Sequence, residues 1–105
     1  MKKLIVNVEN YANHRYPEYF NRGVEISKPD NPHFEIGEVV VITREDEIEI
    51  GVVLGWVDIS YWELRTDMAG MVGMDDLRSA TLKDFSIPGV RFVARLLEEC
   101  KTLNK

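Results

Sequence analysis

His14 and Glu18 stand four residues apart in YANHRYPEYF (residues 11–20), a spacing that on one helical turn lets a carboxylate orient an imidazole acting as a general base. Arg15 adds a charge suited to a phosphate, so His14 and Arg15 are the pair on which a metal-independent, toxin-like RNA-cleaving activity would rest. No Ser or Cys nucleophile stands in a characteristic local turn, and Pro17 interrupts any simple helix there. The more economical reading has these residues solvating and anchoring an aromatic arm. Cys100 lies in a helical apolar stripe that marks it as a small core residue without an activated thiolate. Asp67, Asp75 and Asp76 could surround a hard cation only if the intervening turn folds suitably, and paired carboxylates are more often loop and helix-start residues. His14 and His33 have no thiolate neighbour, so structural zinc is not expected. There is no phosphate-cradling glycine loop, no HExxH and no calcium loop. No catalytic residue, metal or cofactor is assigned.

Recognition chemistry is better represented. Trp56, Tyr61 and Trp62 fall near the ends of expected strands, and Tyr61 and Trp62 point to opposite strand faces, which leaves one available outside the interior. Glu45, Asp46, Glu47 and Glu49 cluster in the preceding hairpin. A groove combining these acids with Tyr61 and Trp62 would bind a partner peptide through an aromatic face and select Arg or Lys by charge. Ordinary packing competes for the same aromatics, because a small domain needs large side chains for its core.

The elements that must position these groups follow from periodicity. Leu4, Val6 and Val8 alternate with Ile5, Asn7 and Glu9 as in a half-buried strand. KPDNPH (28–33) is a loop that separates an amino-terminal arm, residues 1–34, from the central strands. EVVVI (38–42), the REDE connection (44–47) and IEIGVVLGWV (48–57) read as a hairpin, with Gly51 and Gly55 placed for bending or a bulge. YWELRT (61–66), a DMAG turn (67–70) and MVGM (71–74) continue a meander. After the SIPG break (86–89), VRFVARLLEECKTL (90–103) predicts an amphipathic helix with Val93, Leu96, Leu97, Cys100 and Leu103 on one stripe; a strand over residues 90–96 is the competing reading. Arg95 and Glu99 are spaced as an exposed pair.

Composition narrows the classes. The chain has 105 residues, 45% hydrophobic and 30% charged, with a net charge of −5, which fits one domain spanning 1–105 whose apolar content gathers in one compact cluster. The charge is polarised: residues 1–34 carry +1, residues 35–76 carry −9 and residues 77–105 carry +3. The acidic centre disfavours a broad nucleic-acid surface and leaves only a local basic patch, with Arg15, Arg22, Arg78, Lys83, Arg91 and Arg95 as its members. A single Cys excludes an intrachain disulfide, the apolar run at 4–8 is too short for a signal-peptide core, and no run approaches the roughly 18 apolar residues of a membrane span. A cytoplasmic setting and no membrane attachment are expected.

The arrangement of EIGEVVVI, the hairpin into IEIGVVLGWV, YWELRT, MAGMVGM and the DDLR step at 75–78 resembles the small barrels called SH3-like. The resemblance covers roughly residues 36–79 and implies short curved strands followed by a single helical turn, here DDL at 75–77. Such barrels serve in peptide binding, protein assembly and nucleic-acid binding, and some related toxin folds cleave RNA, so the arrangement leaves function open. The expected fold is therefore mainly β (α+β): a small SH3-like barrel over 36–79, with an N-terminal strand and arm over 1–34 and a C-terminal helix over 86–103. The expected function is a noncatalytic protein-interaction or assembly module whose partner is another protein of basic character, or a second copy of the chain. RNA or DNA is the less favoured partner.

Overall fold

The computed structural model describes residues 3–8, 34–57 and 60–103. Val39, Val40, Val41 and Ile42 form an uninterrupted β-branched run, the pattern of a strand covered on both faces, and each is at most 1% exposed. They open strand β1 (Val39–Arg44), which turns through Glu45 and Asp46 into β2 (Glu47–Val57), with pairing from Val39 opposite Val52 to Arg44 opposite Glu47. Strands β3 (Ser60–Thr66) and β4 (Gly70–Gly73) continue the meander. A 3-10 turn, Met74–Asp76, then delivers β5 (Leu77–Ser79) to the far side of β1. The five-stranded antiparallel sheet has the order β4-β3-β2-β1-β5, and its outer strands do not pair with each other. Helix α1 (Ala94–Leu103) comes last, making the fold mainly β, of the α+β kind and compatible with an unclosed small barrel. No helix among the described residues is long and apolar enough to cross a membrane.

The expected single apolar cluster divides into two, because β1 is buried on both faces. Val39 and Val41 face a cluster with Ile50, Val52, Leu96 and Cys100, whereas Val40 and Ile42 face Val53, Leu64, Val72 and Leu77. Leu4, Val6 and Val8 enter the first cluster and Ile5 stays exposed, so the alternation of burial is as expected, but the expected strand is reduced to an isolated antiparallel bridge between Ile5 and Glu38. Its backbone is tied to the start of β1 by Val6 N donating to Gly37 O at 2.9 Å and Val39 N donating to Leu4 O at 2.8 Å.

The edge of β2 opposite β1 is satisfied in three successive ways. Beyond Val53, which pairs with Thr66, the chain at Asp67 turns, and Asp67 Oδ1 accepts Val52 N at 2.7 Å while Asp67 N donates to Val52 O at 3.2 Å. Next, Ile50 N donates to Arg91 O at 2.7 Å and Arg91 N donates to Ile48 O at 3.1 Å. The expected helical start at Val90 is thereby corrected. Residue 91 forms a parallel bridge with Glu49, and the helix begins only at Ala94. The physical reason is that pairing with β2 satisfies backbone groups that a first helical turn would leave open. Of the expected stripe, Leu96 and Cys100 are fully buried and Val93 packs against the first cluster, whereas Leu97 is only half-buried.

Gly55 adjoins an irregularity between Val53 and Gly55, consistent with its expected bulge, but Gly51 has another role. A Cβ on Gly51 would come within 2.6 Å of Asp67 Oδ1. Asp67→Ala leaves the buried Val52 N without its acceptor and is expected to cost about 1–3 kcal/mol. Gly51→Ala is expected to be destabilising by a similar amount, about 1–3 kcal/mol, through overpacking. Urea unfolding of both single variants and the double variant checks the coupling: Gly51→Ala should cost less once Asp67 is Ala. Strict additivity would contradict the close approach.

A second 3-10 turn, Leu82–Ser86, lies between β5 and α1 and is anchored by an ion pair. Arg78 Nη2 and Nη1 donate to the two Asp84 carboxylate oxygens at 2.7 and 3.1 Å, and Thr81 N donates to Asp84 Oδ2 at 2.7 Å. These bonds, led by that from Arg78, hold the Asp84 carboxyl below its ordinary range against the opposing effect of burial. A depressed carboxyl contributes stability that is complete above the unfolded pKa of about 3.9 and is lost as pH falls through the lower folded value. Asp84→Asn should therefore flatten the acid limb of a stability-against-pH curve below about pH 4. An unchanged limb would show that Asp84 does not contribute to it. Phe85 and Phe92 meet edge to face at 5.1 Å, joining this turn to the segment that leads into α1.

Candidate functional site

The short β1–β2 connection fixes which side chains gather at the hairpin tip. Arg44 opposite Glu47 leaves only Glu45 and Asp46 in the turn, so four acids and one base lie within six consecutive residues. Glu45, Asp46 and Glu47 are exposed and Glu49 is half-buried. Glu45 has φ of 52°, a left-handed conformation that glycine or asparagine adopts at lower cost than glutamate. Arg44 Nη1 donates to Ala69 O at 3.3 Å, which ties the tip to the β3–β4 turn.

Together these residues rim an open depression of about 650 Å³ whose other wall is Met68 and Ala69. A second depression, about 410 Å³, also opens beside Met68 and is lined by residues 90–93. Between them Arg91 Nη1 lies 3.6 Å from Glu47 Oε2 and 3.4 Å from Glu49 Oε1. All four predicted acids therefore share one surface. The backbone of Tyr61 and Trp62 enters β3 beside Val57, which pairs with Ser60, at the opposite end of β2 from Glu47. The side chains of Trp56, Tyr61 and Trp62 lie outside the described residues, as do His14, Arg15, Glu18, Arg22, His33 and the arm aromatics.

Sequence reasoning missed Met68, Ala69 and Arg91 as neighbours of the acids. The hairpin spacing signalled the tip itself, whereas the approach of residues 68–69 and 91 depends on where the β2–β3 ladder ends. Asp67 is buried and bonded to Val52, while Asp75 and Asp76 are exposed in the first 3-10 turn. Among the described residues no group of three or more His, Cys, Asp or Glu is placed to hold a metal ion. Burial, followed by the charge of Glu99, pushes the Cys100 thiol up to about 11, so it is protonated at neutral pH.

Of the candidate nucleic-acid contacts, Arg78 is paired with Asp84, Arg91 with Glu47 and Glu49, and Arg95 with Glu99 at 3.8 Å. Compared with protein-family models, with curated proteins and with solved structures, the chain gives no match.

Proposed function

We propose that this chain is a noncatalytic protein-interaction or assembly module that meets a basic partner protein through the acidic tip of the β1–β2 hairpin. The observation that carries this reading is the convergence of Glu45, Asp46, Glu47 and Glu49 on one open depression walled by Met68 and Ala69. Exposed carboxylates raise encounter rates with a cationic surface, and the adjoining apolar wall adds contact area. Glutamate at the strained position 45 is consistent with a site at which charge matters more than local stability. Tyr61 and Trp62 belong to the proposal as a separate contact farther along β3. We also read the sheet as an SH3-like barrel. This is supported by the order β4-β3-β2-β1-β5, with a 3-10 turn between β4 and β5, and it is a likeness of arrangement alone.

Of the described members of the basic patch, Arg78, Arg91 and Arg95 are paired with carboxylates and Lys83 alone is exposed without an ion pair, which supports a protein partner over RNA or DNA. Parallel titrations of the full chain with a Lys- and Arg-rich peptide and with a single-stranded RNA, each at low and high salt, test the choice. Salt-sensitive binding of the peptide is expected. Binding of the RNA alone would replace this reading with the nucleic-acid one.

A further inference from the structure

The two depressions share Met68 as a lining residue, and Arg91 of the second reaches Glu47 and Glu49 of the first, so we treat them together as one groove. Its apolar wall is Met68 and Ala69 at one end and Val90, Phe92 and Val93 at the other, and its acidic rim is the hairpin tip. The chain itself shows what this rim accepts. Arg91, flanked by Val90 and Phe92, bridges to β2 through main-chain bonds to Ile48 and Ile50, and its guanidinium lies within 4 Å of two carboxylates. Arg91 offsets Glu47 and Glu49, whereas Glu45 and Asp46 have no ion pair or hydrogen bond among the described residues. The rim therefore retains an excess of negative charge over what Arg44 and Arg91 neutralise.

Resting on the protein-binding reading above, we infer that the occupant of this groove is an extended segment of a partner protein presenting an Arg or Lys beside an apolar residue, with Arg91 as a built-in competitor for the basic side chain. The basic group meets the hairpin carboxylates and the apolar neighbour lies on Met68. The main-chain bonds of Arg91 to β2 stay in place, and only its side chain yields. The exchange costs least at Glu47, where both partners are 63% exposed and the pair is weak and screened, whereas Glu49, 12% exposed and 3.4 Å from Arg91, is the contact that holds the guanidinium back.

The test uses the isotopically labelled full chain, titrated with the capped pentapeptide Gly-Val-Arg-Phe-Gly and with its counterpart bearing Glu in place of Arg. Amide shifts at Glu45, Asp46, Met68 and Ala69 with the Arg peptide, and none with the Glu peptide, are expected. Arg91→Gln frees two carboxylates while leaving the main-chain bonds possible, and should tighten binding by about two- to five-fold. Arg91→Lys, which keeps the charge without the forked geometry, should fall between the two and serves if the Gln variant is poorly folded. Shifts confined to other surfaces, equal response to the Glu peptide, or unchanged or weaker binding in the Arg91 variants overturn the inference. If the Lys- and Arg-rich peptide still binds at the hairpin while the pentapeptide does not use the groove, only this inference fails; if neither binds, the protein-binding reading fails as well.

Discussion

Leu96→Ala is expected to lower stability by about 2–5 kcal/mol. Leu96 is fully buried in the cluster that also holds Val39, Val41, Ile50, Val52 and the N-terminal residues Leu4, Val6 and Val8, so truncation opens a cavity in the core that joins these segments. The loss combines the transfer of buried methyl groups with the cavity left by neighbours that relax only in part. Leu97, one position along α1, is only half-buried and supplies the comparison. Leu97→Ala should cost clearly less. Equal losses in chemical denaturation would mean that α1 does not present the 96/100 face to the sheet.

Glu38→Ala should also cost heavily, about 1.5–3 kcal/mol, for a different reason. Glu38 is fully buried at the entrance to β1, and its carboxylate accepts Lys3 Nζ at 3.3 Å, Glu35 N at 3.2 Å and Ser79 Oγ at 2.6 Å. It thus joins the N-terminal segment, the turn before β1 and the end of β5. Truncation removes the shared acceptor and leaves polar donors facing a gap. Glu38→Gln keeps the shape and an acceptor oxygen and should recover part of the loss. Lys3 is about half exposed, so Lys3→Met should cost far less than Glu38→Ala. If Lys3→Met proved as damaging as Glu38→Ala, the buried carboxylate would be acting through that ion pair alone.

Local pattern explains most of the strand reading. The β-branched run at 38–42 marked a strand but not that both its faces are covered, the polar REDE connection marked the hairpin that turns through Glu45 and Asp46, and Leu4, Val6 and Val8 alternate as their burial requires. Strand β5 escaped notice because Leu77–Ser79 has three residues, of which Arg78 and Ser79 are exposed, too short for a period to emerge. The extended backbone at Arg91 escaped for a nonlocal reason. Nothing near residue 91 reveals that β3 leaves β2 at Val53 and so exposes the Ile48 and Ile50 backbone groups that Arg91 satisfies.

The candidate site divides in the same way. Its acids are neighbours in sequence and were legible, whereas the position of the Tyr61 and Trp62 backbone toward the other end of β2 follows from strand register. Charge counting was also blind to burial. Glu38 and Asp67 contribute to the central −9 balance but serve as internal hydrogen-bond acceptors, whereas Glu45, Asp46 and Glu47 at the hairpin tip, like Asp75 and Asp76 in the first 3-10 turn, are exposed.

The central claim, that this tip meets a basic protein surface, is tested most directly by the affinity of the Lys- and Arg-rich peptide for the native chain and for the Glu45→Lys, Asp46→Lys double variant. Both positions are exposed, so the substitutions should leave the core unaffected. Binding weakened by about ten-fold or more, with little salt dependence remaining, is the predicted result. An affinity unchanged by the double charge reversal in a variant of native stability would contradict the account.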